Sequence, residues 1–167
     1  MKTIEINLPF TEEMMIGLQT GDKLLLSGKL LTARDAAHKR MIEYLDSGKQ
    51  LPFELKGACI YYCGPTPAKT GFPIGACGPT TSSRMDVYVK RLFAEGLRCM
   101  IGKGDRSDEV KEQVSLYKGV YLTAIGGAGA LYGKSVVSSR CIAWEDLGAE
   151  AVYELDVERF VCYVGNV

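Results

Sequence analysis

Residues 75–96, GACGPTTSSRMDVYVKRLFAEG, place hydroxyl, glycine and arginine residues directly before an amphipathic helix. Unpaired backbone N–H groups and the positive end of the helix dipole favour an anion at such a helix start. Thr80 and Thr81 add hydroxyl donors there. Arg84, in the first turn, adds a planar pair of donors that matches a carboxylate or a phosphate. The combination predicts an anion-binding site.

A second helix start carries the same residue types. In TARD, residues 32–35, Thr32 is the predicted N-cap, Arg34 lies in the first turn, and Asp35 is the acidic half of a capping box. Two helix starts with a hydroxyl and an arginine predict a ligand that has two carboxylates.

Glycine turns follow two predicted central strands, at GKG (102–104) and GGAGAL (126–131). Ligands of open α/β sheets bind near the carboxyl ends of the strands, where these turns are expected to lie. Lys103 would add a further positive charge at this edge.

Simpler interpretations stay open. Ser83 and Asp86 can form an ordinary capping box that leaves Arg84 in solvent. GGAGAL can belong to a dinucleotide site, but its spacing is not G-x-G-x-x-G, so a close-packed turn is the favoured interpretation. His38 is the only histidine, and a surface or supporting position is favoured over a catalytic one.

The periodicity of apolar residues predicts an α/β domain around these loops. TIEINLP and the two apolar runs of DKLLLSGKLLTA, which flank a Ser-Gly turn, are typical of strands. ACIYYCGP, residues 58–65, predicts a strand that is buried on both faces. Apolar stripes predict helices over about residues 33–47 and 82–96. Extra strands at both ends favour a single β/β/α domain over residues 1–167, with a mixed central sheet flanked by helices.

Composition argues against several classes of function. Lysine plus arginine and aspartate plus glutamate number 20 each, without runs of like charge, so no footprint for nucleic acid or an anionic membrane is visible. The N-terminus lacks the apolar core of a signal peptide, and we expect a cytoplasmic protein. The six cysteines lack C-x-x-C spacing and are expected to be buried thiols rather than metal ligands.

Six motifs make the chain similar to the β subunit, or C-terminal β domain, of the iron–sulfur class I fumarases and L-tartrate dehydratases. They are LLSGKLLTARDAAHKRM, IYYCGP, GPTTSSRMDVY, IGKG, YLTAIGGAGAL and WEDLGAEAVYELDVERF, in family order from about residue 24 to residue 160. The resemblance implies a swivelling β/β/α domain in a two-part hydro-lyase. It places a [4Fe–4S] cluster on an α subunit and not on this chain's cysteines. In the family, the free iron of that cluster acts as a Lewis acid on a substrate oxygen.

The resemblance also implies roles for individual residues. Thr80, the first threonine of GPTT, matches the family's candidate proton-transfer residue. Arg34, Arg84 and Lys103 match its contacts with the substrate carboxylates, and Thr81 is expected to bind substrate beside them. A neutral threonine is a weak base, so we expect the α subunit to supply an activating carboxylate.

The motifs look closer to the fumarase version than to the tartrate version. The implied reaction is the reversible hydration of fumarate to L-malate by an assembly of α2β2 type. Two alternatives are an L(+)-tartrate dehydratase β subunit, which would convert tartrate to oxaloacetate, and a dicarboxylate-binding domain without catalysis. Many family members continue beyond the region where this chain closes with VCYVGNV, which puts a C-terminal contact with the partner in doubt.

Overall fold

The apolar runs of the sequence build one mixed sheet of seven strands. A computed structural model describes residues 1–167. The strands are β1 (Thr3–Asn7), β2 (Lys23–Thr32), β3 (Cys59–Tyr61), β4 (Cys99–Gly102), β5 (Val120–Thr123), β6 (Val136–Ala143) and β7 (Val152–Asn166). Neighbours among β1 to β5 pair in parallel, whereas β7 is antiparallel to β2, β5 and β6.

The last strand closes the sheet into a ring. β7 pairs with almost the whole of β2, and its C-terminal end pairs with β5. Because β2, β3, β4 and β5 pair in succession, these four strands and β7 form a closed circuit. The mixed sheet that the sequence predicts is confirmed.

Helices cover the parallel strands. They are α1 (Glu12–Met15), α2 (Asp35–Asp46), α3 (Asp86–Ala94), α4 (Asp108–Leu116) and α5 (Gly129–Lys134), with 3-10 turns at Ser82–Met85 and Glu145–Glu150. In β3, Cys59 and Tyr61 join one buried cluster of 24 residues, whereas Ile60 joins a second cluster of 18 residues with α2, α3 and α4. Successive strand side chains point to opposite faces, so the run ACIYYCGP is apolar because both faces are covered.

β2 is one continuous strand, so the prediction of two strands around a Ser-Gly turn is wrong. The pairing register with β7 shifts between Leu26 and Gly28, and Gly28 has a φ of 118°. A bulge of this kind adds a residue without reversing the chain. Atoms of Leu8 lie 3.0–3.3 Å from the Cβ position of Gly28, so a side chain there would have no room.

Five of the six cysteines are buried, as predicted, but Cys141 is exposed. It lies on β6, which pairs only with β7 and keeps much of its length open to solvent. None of the helices combines the length and the apolar character that crossing a membrane requires.

Candidate functional site

The carboxyl ends of parallel strands bring the predicted site residues to one edge of the sheet. Arg34 follows the end of β2 by two residues, and Lys103 follows β4 directly. The long loop after β3 ends at Thr80 and Thr81, just before the 3-10 turn that leads to Arg84. Five residues from three segments of the chain therefore lie around the same edge.

Main-chain hydrogen bonds hold the threonines against the lysine turn. The Thr80 N–H donates to the Tyr62 carbonyl at 2.7 Å, and the Lys103 N–H donates to the Thr80 carbonyl at 3.3 Å. The Ser82 N–H donates to the Lys103 carbonyl at 2.9 Å, which makes Thr81 and Lys103 an isolated parallel bridge. Thr80 and Lys103 are half-buried and Thr81 is exposed, so a ligand can reach their side chains.

An ion pair joins the two helix starts. Arg84 Nη2 lies 2.9 Å from Asp35 Oδ2, and both side chains are about half exposed, at 50% and 43%. Asp35 is the first residue of α2 and pairs with Arg84 instead of serving a capping box. The alternative capping box of Ser83 and Asp86 is also wrong, because the Asp86 carboxylate binds the Arg106 guanidinium.

Arg34, not Thr32, is the N-cap residue of α2. The N-cap prediction for Thr32 is wrong because β2 continues through that residue, whose buried hydroxyl accepts from the Tyr153 N–H at 3.2 Å. The Arg34 side chain lies over Gly64, where a Cβ atom would come within 2.8 Å of Nη1. Its Nε is 3.3 Å from Glu150 Oε1, an ion-pair distance without hydrogen-bond geometry.

The Lys103 side chain extends over the glycine turn that follows β5. A Cβ atom at Gly126 would lie 3.5 Å from Lys103 Cδ and 3.9 Å from Nζ. No carboxylate of the chain pairs with this ammonium. Because Glu150 and Asp35 pair with the two guanidiniums of this edge, Lys103 is its uncompensated positive charge, and such a charge favours an anionic ligand.

The glycine-rich corner after β5 is a close-packed turn, as predicted. The Cys77 N–H donates to the Gly129 carbonyl at 3.0 Å. A Cβ atom at Gly129 would lie 3.1 Å from the Gly78 nitrogen, and one at Gly133 would lie 2.5 Å from the Gly75 carbonyl oxygen. These glycines let the loop that carries Thr80 pack tightly on α5.

A buried arginine that sequence reasoning missed supports the site loops. Arg106 is 4% exposed, and its Nε donates to Asp86 Oδ1 at 2.7 Å. Its guanidinium centre lies 5.3 Å from the ring centroid of Tyr62 and 4.8 Å from that of Tyr121. Burial disfavours the charge, yet Tyr62 and Asp86 hold the pKa of Arg106 above its ordinary value. No periodicity marks a buried arginine in a loop, so GKGDRS carried no signal for it.

His38 is buried, so the surface position considered from the sequence is wrong. Its Nδ1 lies 2.8 Å from the Arg34 carbonyl, which can only accept, so Nδ1 carries the proton and Nε2 is left without a partner. The imidazole packs against the rings of Tyr62 and Tyr88. Burial lowers the pKa of His38 to about 4, which keeps the imidazole neutral.

The described residues contain no group of three or more histidine, cysteine, aspartate or glutamate side chains arranged to hold a metal ion. Cys63 and Cys77 bring their sulfurs to 3.2 Å, but both are buried in the apolar core. The residues of this chain therefore do not fit an iron–sulfur cluster.

An α/β domain that gathers two guanidiniums, one ammonium and two threonines at the carboxyl edge of its parallel strands is equipped to bind a small anion. The family model described as "Fumarase C-terminus" matches residues 1–165, and the chain belongs to this family.

Several relatives carry names of the same kind. "Fumarate hydratase class I, anaerobic" of Escherichia coli is 36% identical over 165 residues, which are 96% of this chain and 30% of that protein. "Fumarate hydratase 1, mitochondrial" of Leishmania major is 40% identical over 144 residues, 85% of this chain and 26% of that protein. "Putative L(+)-tartrate dehydratase subunit beta" of Methanocaldococcus jannaschii is 39% identical over 148 residues, 86% of this chain and 76% of that protein.

These relatives confirm the family recognised from the six motifs. The chain spans about a third or less of the length of the fumarate hydratases and about three quarters of the M. jannaschii subunit.

Proposed function

We propose that this chain is the β-type part of an iron–sulfur hydro-lyase that interconverts fumarate and L-malate. The observation that carries the proposal is the gathering of Arg34, Thr80, Arg84 and Lys103 at one edge of the sheet, with the two helix starts joined by an ion pair. Family membership and the names of the relatives support the reaction class.

The two arginines suit the two carboxylates of the substrate. Arg84 pairs with Asp35, the sequence neighbour of Arg34, so both guanidiniums stand at adjoining helix starts. An exposed ion pair of this kind is worth little, about 1 kcal/mol or less. A substrate carboxylate that docks through a two-point fork can therefore replace Asp35 as the partner of Arg84 at small cost.

Lys103 suits the charge that develops during the reaction. Removing water from malate breaks a C–H bond beside a carboxylate, and negative charge builds on that carboxylate in the transition state. A cation that has no partner of its own, such as Lys103, stabilises this charge without first giving up another contact. Thr81, exposed beside it, contributes a further hydrogen-bond donor.

Thr80 is assigned the proton transfer. In the hydration direction, the oxygen of water bonds to one carbon of the double bond and a proton is delivered to the other. The Thr80 hydroxyl can move that proton only when a neighbouring base activates it. In this proposal a carboxylate of the α subunit provides the activation.

The exposure of the site is an argument that a second polypeptide or domain covers it. Arg84 is half exposed and Thr81 is exposed, so this chain alone leaves the substrate in contact with water. The relatives named as fumarate hydratases are more than three times the length of the matched region. We assign the covering role to an α subunit that carries the [4Fe–4S] cluster, in an assembly of α2β2 type.

A second candidate function has one specific observation in its favour. The M. jannaschii relative, named as a tartrate dehydratase subunit, is as similar to this chain as the fumarate hydratases and is matched over a far greater share of its length. Arg34 and Arg84 would then bind the two carboxylates of tartrate. A dicarboxylate-binding domain without catalysis is disfavoured, because a binder has no need of Thr80 beside the cations.

The test is anaerobic assembly of this chain with the cluster-bearing α polypeptide, followed by measurement of kcat/KM for L-malate and for L-tartrate. The proposal predicts turnover that needs both polypeptides and prefers malate; the α polypeptide alone is the control. Preference for tartrate would support the second candidate. No turnover of either compound with an intact cluster would contradict both hydro-lyase functions.

A further inference from the structure

Arg106 contacts Asp86, Tyr62 and Tyr121. These three residues hold the segments of the candidate site that carry Arg84, Thr80 and Lys103. We propose that Arg106 is a positioning residue that sets the relative placement of Thr80, Arg84 and Lys103. The inference rests on the proposed function and adds to it a residue that touches no substrate. The Arg106 guanidinium makes three connections to these residues.

The first connection leads to the helix start of Arg84. Arg106 Nε donates to Asp86 Oδ1 at 2.7 Å, and the other carboxylate oxygen of Asp86 accepts from the Ser107 N–H at 3.0 Å. Asp86 is the first residue of α3 and lies two residues after Arg84. The loop after β4 and the start of α3 are therefore held together by one carboxylate, whose side chain is 15% exposed.

The second connection leads to Thr80. Arg106 Nη2 donates to the Tyr62 hydroxyl at 3.3 Å, and the guanidinium lies over the Tyr62 ring. The carbonyl of the same tyrosine accepts from the Thr80 N–H at 2.7 Å. Tyr62 thus links Arg106 through its side chain to the proposed proton-transfer residue through its main chain.

The third connection leads to the lysine turn. The guanidinium packs on the ring of Tyr121, whose hydroxyl donates to the Gly104 carbonyl at 2.7 Å and lies 2.8 Å from Ser82 Oγ. Because the tyrosine proton goes to the carbonyl, the Ser82 hydroxyl is the donor to Tyr121. Gly104 follows Lys103 directly, and the Ser82 N–H donates to the Lys103 carbonyl.

These contacts need a planar guanidinium. It packs against two rings while it donates in its own plane to Asp86 and Tyr62, whereas a lysine ammonium can keep only the charge. Replacement by alanine would leave Asp86 without its buried partner and threaten the fold itself. The lysine variant is therefore the informative one.

The test compares Arg106→Lys with Arg98→Lys. Like Arg106, Arg98 packs its guanidinium on a tyrosine, 5.2 Å from the Tyr117 ring centroid, but it precedes β4 at the opposite end of that strand and donates to the main-chain carbonyls of Phe93 and Leu97. It is thus a matched control for loss of a tyrosine-packed guanidinium.

In the assembled enzyme, Arg106→Lys should lower kcat/KM for malate about 10- to 100-fold, with a lower kcat and a higher KM, since small displacements of catalytic groups carry penalties of this size. The amide hydrogens of Ser82 and Lys103 should exchange faster. Arg98→Lys should leave the kinetics and both amides unchanged. Tyr121→Phe, which keeps the ring and removes the hydroxyl, should change the same quantities in the same direction as Arg106→Lys.

Wild-type kinetics together with wild-type amide exchange in Arg106→Lys would overturn the inference, and so would equal losses in Arg98→Lys. If the wild-type assembly turned over no substrate, the proposed function would fail on that result alone. Amide exchange at Ser82 and Lys103 would then still decide whether Arg106 positions these loops.

Discussion

The buried imidazole of His38 makes the stability of the chain depend on pH in a calculable way. Burial lowers its pKa from 6.5 to about 4 in the folded chain, and its surroundings are Asp35, Arg106 and the rings of Tyr62 and Tyr88. Asp35 favours the proton and Arg106 opposes it. His38 is the only histidine, so no other imidazole titrates in this range.

The sign follows from proton binding. Between pH 6.5 and about 4, the unfolded chain binds a proton at His38 that the folded chain excludes, so the free energy of unfolding falls as the pH falls. Each pH unit is worth about 1.4 kcal/mol for one such group. We therefore expect a loss of about 2 kcal/mol from this group between roughly pH 7.5 and pH 5, and about 3 kcal/mol when the pH reaches the folded pKa.

The assay is urea unfolding at the two pH values, for the wild-type chain and for His38→Gln. A glutamine can donate to the Arg34 carbonyl as Nδ1 does, but it does not titrate. The free energy of unfolding of the variant should fall by about 2 kcal/mol less than that of the wild type over this interval. Contributions of the carboxylates are common to both proteins and cancel.

An NMR titration of the imidazole Hε1 resonance gives the pKa of His38 directly. A midpoint near 6.5 in the folded chain, or equal pH dependence in the wild type and the variant, would refute the reasoning that the imidazole is buried and neutral.

Two further predictions address the candidate site and its packing. Arg84→Ala should lower kcat/KM of the assembled enzyme by about three orders of magnitude, because it removes carboxylate binding and charge stabilisation; the free energy of unfolding should change by about 1 kcal/mol or less, since its pair with Asp35 is half exposed. Wild-type turnover would remove Arg84 from the site. Gly102→Ala should lower the free energy of unfolding by about 1–3 kcal/mol, because the new Cβ atom would lie 2.0 Å from Ser82 Oγ and 2.8 Å from Tyr62 Cδ2; an unchanged unfolding midpoint in urea would show that the turn has more room than these distances allow.

Sequence reasoning works best where one pattern repeats along an element. The apolar runs that became β3 and β4, and the stripes that became α2 and α3, carry their periodicity in the residues themselves. It fails at Gly28, because a bulge and a tight turn both call for a glycine with positive φ. It also fails at Thr32, because a hydroxyl residue before a helix is typical of an N-cap, whereas here it is a strand residue whose hydroxyl partner lies 121 positions away.

The candidate site was predictable in its residue types but not in its connections. The pairing of Arg84 with Asp35 and the contacts of Arg106 join segments that are distant in sequence, and no local signal encodes them. The burial of His38, in contrast, is indicated by its position in the sequence. His38 stands three residues before Met41, on the same apolar face of the helix, and burial follows from that spacing.

The central claim is that this chain supplies the proton-transfer residue of a hydro-lyase, and kcat of the assembled enzyme with Thr80→Val tests it most directly. Valine keeps the shape of threonine and leaves the Thr80 main-chain bonds to Tyr62 and Lys103 in place. With malate as substrate, we predict a fall in kcat of about 10²- to 10⁴-fold, with assembly intact and Thr80→Ser retaining more of the activity than the valine variant. A wild-type kcat in Thr80→Val would contradict the claim.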